Sequence, residues 1–377
     1  MKVLSGVPWR LDSDATGLTK RLVDQFTAIA KKGFETCLYS PGPNRKFRGF
    51  RNIHLSARLV EDEDPISPIL NSMFFSDAFS RVIKRRKWDI LHCFNTSALF
   101  LEADSYLFQT LNPTYAFIKE IINSEYPKRG KYLRKLTYYE FASSLEEREY
   151  KNAPMIVASS ELAKENIARY YSVQRSLIQV IPAGIDPAVC NFNYEKKESK
   201  LRIILFPNRV AVLKGFHYVF EAMKKIKKVF PSSIIAVTNR VDSFDYDLLC
   251  HDIRKLKEIK AISLIGFLPR DSLYEYYKVA DVCLVPSLAD DMSLSVLESV
   301  AHATPVVATS NTGFPDVEDV GIQVPPKDSD AIADAVIALL SDEELYMKKR
   351  ANAQRVIQKY NLSIVAEKFK TLYERLA

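Results

Sequence analysis

A chain of 377 residues exceeds what one hydrophobic core usually organises and suits two domains of about 100–200 residues each. With 47% hydrophobic and 26% charged residues it has the composition of a globular enzyme-sized protein, and no run reaches the about 18 apolar residues that a bilayer span needs. The formal charge of +7 is modest and falls mostly in residues 1–190, which points away from a wholly basic nucleic-acid-coating protein.

The chain opens on a short apolar strand, Val3–Val7, and reaches Arg10 without the apolar core of a secretory signal, so a cytoplasmic location is expected. Further strands are predicted near Glu35–Tyr39, Asp89–Phe94, Ser105–Gln109, Met155–Ala158 and Ile178–Ile181. Helical patterns fill Gly17–Lys32, Ile66–Arg86, Leu136–Tyr150 and Glu161–Tyr171 between them. The segment Pro182-Ala183-Gly184-Ile185-Asp186-Pro187 and the polar run Glu195–Lys200 then punctuate the chain, placing a domain boundary and a hinge within 182–200. The pattern restarts with strands at Leu201–Phe206, Ser233–Thr238, Ile262–Ile265, Val282–Val285 and Pro305–Ala308. Helices Gly215–Val229, Asp242–Glu258 and Asp271–Lys278 alternate with them, and the last stretch, Asp330–Leu340, Asp342–Tyr360 and Ser363–Leu376, is almost wholly helical. Strand-length apolar runs alternating with helices predict the α/β class, as two doubly wound parallel sheets.

Two loops of the second half carry the chemistry. Phe206 to Gly215 ends a strand in a loop holding Arg209 and Lys214, fixed cations suited to the negative charge that grows on a departing diphosphate. After the apolar strand Val282–Val285 comes Pro286-Ser287-Leu288-Ala289-Asp290-Asp291-Met292-Ser293-Leu294-Ser295-Val296-Leu297-Glu298. Asp290 falls in the loop at the strand's carboxyl end, and Glu298 about a turn and a half into a helix starting near Ser293, so both carboxylates can reach one ligand where open α/β sheets bind theirs. The helix start adds unpaired backbone N–H groups and a positive dipole end.

In this order and spacing the chain resembles the glycosyltransferases of family 4 (glycosyl transferases group 1) over nearly its whole length. Asn208-Arg209 through Lys214-Gly215 is similar to the family's G-R-x-x-x-x-K-G loop, with Asn for the first Gly, and Asp290 to Glu298 to its Glu-x7-Glu segment, with Asp for the first Glu. Ala301-His302-Ala303-Thr304-Pro305-Val306-Val307-Ala308 looks like A-C-G-T-P-V-V-A, and Gly313-Phe314-Pro315-Asp316 like G-x-P-E. Gly266-Phe267-Leu268-Pro269, Ala280-Asp281-Val282 and Ile181 to Asp186 match further. The resemblance implies a GT-B fold, two Rossmann-like doubly wound parallel-sheet domains facing a central cleft. They would span 1–185 and 186–360, with a closing helix at about 361–377 returning to the first.

It further implies a retaining, metal-independent transfer of a sugar from a nucleotide-diphosphate sugar, UDP- or GDP-linked, to a hydroxyl of a glycan, lipid-linked saccharide or small molecule. Arg209, Lys214 and Asp290 would act at the reacting centre. Glu298 would hold the ribose hydroxyls, Asp290, shorter than the family's Glu, would either draw the sugar closer or cede part of the contact to Asp291, and the amides of Met292, Ser293 and Leu294 would face sugar and phosphate. Gly266, Phe267 and Leu268 would border the base, and Gly17 would let the backbone approach the diphosphate. Gln109 stands where many members carry a donor-touching histidine; it can hydrogen-bond a sugar but takes no proton near neutral pH. The other histidines, His92 among them, are read as structural, and the four Asp-x-Asp triplets (at 12, 62, 245 and 328) follow no strand as a metal site requires.

Five scattered cysteines, Cys37, Cys93, Cys190, Cys250 and Cys283, without a C-x-x-C pair are expected to be reduced thiols. The basic-aromatic stretch 126–139 reads either as a solvated helix face or as a contact with a membrane surface, as in polysaccharide biosynthesis on lipid carriers, and no nucleic-acid motif accompanies it. The competing readings are a GT-B nucleotide-sugar-binding or regulatory protein that has lost turnover, and a phosphorylase or epimerase of related fold.

Overall fold

A computed structural model of the chain describes residues 1–8, 17–41, 45–47, 50–55, 67–101, 106–193 and 200–377. They form two compact units, Met1–Gly184 with Leu362–Ala377, and Ile185–Asn361.

The first unit runs β1 (Lys2–Gly6), α1 (Leu18–Ala30), β2 (Glu35–Ser40), β3 (Arg45–Phe47), β4 (Phe50–His54), α2 (Ser67–Ile83), β5 (Ile90–Phe94), β6 (Leu107–Gln109), α3 (Tyr115–Glu125), α4 (Gly130–Asn152), β7 (Met155–Ala158), α5 (Glu161–Tyr171) and β8 (Ile178–Val180). Its sheet order is β3-β4-β2-β1-β5-β6-β7-β8, parallel except for β3 against β4. Alternate residues of the central strands feed opposite cores, as the two-residue period of a strand buried on both faces demands. Val3, Ile90 and Leu107 join Phe26 and Ile29 of α1, while Leu4, Leu91 and Phe108 join Phe75 and Phe79 of α2.

The second unit runs β9 (Arg202–Phe206), α6 (Phe216–Val229), β10 (Ser233–Val237), α7 (Tyr246–Glu258), β11 (Ile262–Leu264), α8 (Arg270–Val279), β12 (Val282–Val285), α9 (Leu294–Ala301), β13 (Val306–Thr309), α10 (Val317–Val320), β14 (Gly321–Val324), α11 (Ser329–Ser341) and α12 (Glu343–Ile357). Its six strands are all parallel in the order β11-β10-β9-β12-β13-β14. That is the 3-2-1-4-5-6 order of a doubly wound dinucleotide fold, and its direction reverses between β9 and β12. The last helix, α13 (Leu362–Leu376), belongs to the first unit, where Val365, Phe369 and Tyr373 pack with Phe26 and Phe34.

Most predicted elements are present within a residue or two. The differences have local causes. The β3–β4 pair is an edge ribbon rich in Arg and Lys with no apolar run to announce it. β14 has four residues and starts on a glycine, too short for a period to register. α3 was not anticipated, and α4 starts at Gly130, six residues before the predicted Leu136, because the basic-aromatic stretch winds into helix instead of preceding one. Among the described residues no helix is long and apolar enough to cross a membrane.

Candidate functional site

The switch point between β9 and β12 leaves a crevice at the strands' carboxyl ends, and the loops that follow both strands meet there. After β9 the chain passes Asn208 and Arg209, makes one 3-10 turn over Val212–Lys214 and enters α6 through Gly215. After β12 it runs from Pro286 to Ser293, which caps α9. The Leu288 N–H donates to the Leu213 carbonyl at 2.9 Å, and the Ser295 hydroxyl donates to Asn208 Oδ1 at 2.9 Å. Gly215 closes the seam. Its φ of +70° lies in the left-handed region, and a Cβ there would stand 1.9 Å from the Pro286 carbonyl oxygen.

This zipping brings Lys214 and Asp290, 76 positions apart in the chain, to an Nζ–Oδ2 distance of 2.7 Å, with both side chains partly accessible. Asp291 is 2% exposed, so Asp290 is the carboxylate of the pair that faces outward. A third loop, after β13, clamps the segment from behind, an arrangement with no signal in the sequence reading. Thr309 Oγ1 donates to the Ser287 carbonyl at 2.5 Å, Asn311 Nδ2 to the Leu288 carbonyl at 2.8 Å, and the Asp290 N–H to the Asn311 carbonyl at 3.1 Å. The Ser293 N–H donates to the Thr312 carbonyl at 2.9 Å, so of the three amides expected to face a ligand this one is already engaged. Met292 is buried and Leu294 is half-buried in the first turn of α9.

Glu298 stands in the middle of α9, and two residues not singled out from sequence fix its carboxylate. Arg270, opening α8, donates to Oε1 at 2.9 Å, and the Tyr277 hydroxyl donates to Oε2 at 3.2 Å. Burial, with Glu298 adding to it, pushes the Tyr277 phenol well above its ordinary range, so it stays a protonated donor. His302 Nδ1 donates to the Glu298 backbone carbonyl at 2.8 Å and the ring stacks on Tyr277; burial lowers its pKa, as suits a packed neutral ring. The signal that could have found Arg270 is its place directly after Gly266-Phe267-Leu268-Pro269.

Arg209 is 61% exposed and reaches Asp242 of the β10–α7 loop at 3.3 Å, a partner also missed. In the β11–α8 loop Gly266 has φ +89° and open space around it, Phe267 is 44% exposed beneath the Arg240 guanidinium at 5.2 Å, and Leu268 is half-buried.

In the first unit Gly17 starts α1 at φ +61°, exposed and with nothing near a would-be Cβ; Thr16 before it lies outside the described residues. Gln109, at the end of β6, is fully buried, and its amide is matched with that of Gln25 by two hydrogen bonds, 2.8 and 3.2 Å. A sugar contact at Gln109 therefore requires that pair to open. His92 is buried against Phe94 with Nδ1 2.6 Å from the Tyr373 hydroxyl, and burial lowers its pKa to about 3. That is a structural histidine.

Among the described residues no group of three or more His, Cys, Asp or Glu side chains is gathered as a metal site would be. Of the Asp-x-Asp triplets, Asp245 accepts the Val212 N–H at 2.9 Å and Asp328 accepts the Ala331 N–H at 2.8 Å, while those at 12 and 62 lie outside the described residues.

Comparison with known proteins covers both units. Residues 191–356 match the family described as glycosyl transferases group 1, and residues 15–189 match glycosyltransferase family 4. An uncharacterized glycosyltransferase of Methanocaldococcus jannaschii is 26% identical over 307 residues, covering 76% of this chain and 75% of that protein. A D-inositol 3-phosphate glycosyltransferase of Corynebacterium jeikeium is 24% identical over 243 residues, 60% of this chain and 58% of that one. Among solved structures, a sucrose-phosphate synthase of Thermosynechococcus elongatus superposes with TM-score 0.79 at 19% identity, covering 100% and 98% of the two chains. HepE of Anabaena, solved in complex with UDP-glucose, superposes with TM-score 0.72 at 14% identity over 100% of both chains.

Proposed function

This chain belongs to glycosyltransferase family 4, is a glycosyltransferase of GT-B fold, and we propose that it moves a sugar from a UDP- or GDP-sugar to a hydroxyl acceptor with retention of anomeric configuration. The observation that carries the reading is the meeting of Lys214 and Asp290 at the β9–β12 switch point, with Glu298 held ready by Arg270 and Tyr277 one helix turn and a half further on. In that arrangement Lys214 and Arg209 neutralise the diphosphate, and Asp290 turns from Lys214 to the sugar hydroxyls. Glu298 accepts from the ribose, while Gly266, Phe267 and Leu268 border the base. The acceptor oxygen forms its bond to the anomeric carbon as the bond from that carbon to the phosphate oxygen breaks. The acceptor proton passes to the departing phosphate, so no protein base and no metal is called for.

The acceptor is proposed to be a saccharide or lipid-linked saccharide met at a membrane surface. The support is α4, where Lys135 lies over the Tyr126 ring at 4.5 Å and Leu133 and Phe141 are 49% and 46% exposed. Flotation with anionic vesicles at low salt tests this part; no association would remove it. A second reading, nucleotide-sugar binding without turnover, draws on the sealed Gln25–Gln109 pair.

The test of the central claim is calorimetric titration of UDP, GDP, ADP and their common sugar conjugates without added metal, on the wild type, Lys214→Ala and Glu298→Ala. One nucleotide diphosphate should bind, and both variants should lose it. Binding without any transfer to a broad acceptor panel would favour the second reading, and no nucleotide binding at all would refute the donor site.

A further inference from the structure

A separate cavity of about 490 Å³ opens in the first unit toward the amino ends of β1, β2 and β4, whereas parallel sheets of this kind bind their known ligands at the carboxyl ends. Its floor follows from strand register. Leu4, Cys37 and Arg51 sit side by side across β1, β2 and β4, and Tyr39 lies two residues beyond Cys37 on the same face. That face belongs to α2, which presses so closely on the carboxyl end of β1 that a Cβ at Gly6 would meet the Phe79 ring at 2.5 Å. The helix ends at Ile83, and the connection to β5 carries Arg86, Lys87 and Trp88 along the cavity's other wall.

The lining is strongly one-signed. Arg51, Arg86, Lys87 and Lys2 border it against one carboxylate, Glu35, which already stands 3.9 Å from Lys2. Arg51 and Arg86, both solvent-exposed, line the cavity beside this floor, and burial raises the Cys37 thiol while the two arginines pull it down. Two planar forks, a lysine and the flat wall of Trp88 suit a phosphate attached to a ring-shaped body. The volume lies within the range of about 300–1,000 Å³ that small-ligand sites occupy.

We propose that this cavity binds a phosphomonoester, its phosphate between Arg51 and Arg86 and its body against Trp88, at a site apart from the donor site of the second unit. The probe is Cys37, which lines the floor. In the full-length protein its alkylation by iodoacetamide is followed by peptide mass spectrometry, with glucose 6-phosphate, inorganic phosphate, glucose, or sodium chloride of matched ionic strength added. Glucose 6-phosphate should protect Cys37 and glucose should not. Arg51→Gln with Arg86→Gln should raise the half-protecting concentration by about tenfold or more, the loss expected from charge-assisted hydrogen bonds. Lys214→Ala should leave protection unchanged.

Vesicles of phosphatidylcholine with phosphatidic acid form a second arm. Protection by them in place of the sugar phosphate keeps the phosphomonoester and assigns it to a lipid headgroup. Absence of protection in every arm, equal protection by sodium chloride, or protection that survives the double substitution would overturn the proposal. Thermal denaturation of the double variant, with quenching of Trp88 fluorescence as an independent binding readout, separates loss of the site from loss of the fold.

Discussion

Replacing Gly215 by alanine tests how tightly the two site loops are joined, because the structure sets the cost. The new Cβ would lie 1.9 Å from the Pro286 carbonyl oxygen and 2.9 Å from its carbon, both backbone atoms. Reaching an ordinary contact of about 3.4 Å requires a separation of roughly 1.5 Å in a region packed at interior density. Alanine at a φ of +70° adds roughly 1–2 kcal/mol. Parting the loops also strains the Leu288–Leu213 hydrogen bond, worth about 1 kcal/mol, and the Lys214–Asp290 contact. The sum is about 3–4 kcal/mol, which for a unit of this size lowers Tm by roughly 10 °C. Gly266 supplies the control. Its φ is +89° but nothing lies within 4 Å of a Cβ, so Gly266→Ala should cost only about 1–2 kcal/mol of conformational energy.

Scanning calorimetry of the two variants gives the stability difference, and nucleotide titration gives its functional echo. A displacement of about 1 Å at Lys214 is enough to lower turnover by up to about a hundredfold. If Gly215→Ala melts like Gly266→Ala and binds nucleotide like the wild type, the loops are not held by this contact and the reasoning fails.

What the sequence revealed about the site was its contacts within single segments. The strand Val282–Val285, the cap at Ser293 and the helical place of Glu298 were all legible because each is set by residues within a turn or two. What it withheld was the third partner each time. Arg270 and Tyr277 on Glu298, Asp242 on Arg209 and the Thr309–Thr312 clamp come from other βα units, brought together only by the strand order. The same limit explains Gln109. The family resemblance placed a ligand contact there, yet α1 folds Gln25 over it, a pairing 84 residues distant that no periodicity encodes. The edge ribbon β3–β4 was missed for the opposite reason, since charged edge strands carry no apolar pattern to read.

Lys214→Met should keep the fold, since the side chain is partly exposed, and lower kcat by about 10²–10³-fold, the loss typical of one preorganised charge-stabilising donor. Tyr277→Phe removes a donor on Glu298 without a cavity and should weaken nucleotide affinity by about three- to tenfold with kcat little changed; an equal fall in kcat would mean that Glu298 acts in the transition state. The buried His92 makes the first unit acid-sensitive. Its folded pKa is lowered to about 3 from 6.5, so between those values the unfolded chain binds a proton that the folded chain does not. Stability is therefore full above pH 6.5 and falls by about 1.4 kcal/mol per pH unit below it, levelling only near pH 3. His92→Asn should remove that share of the slope while costing a constant amount for the Tyr373 contact, and unfolding enthalpies in two buffers of different ionisation heat would count the proton directly. A slope equally steep in the variant would mean that other groups, not His92, carry the acid sensitivity.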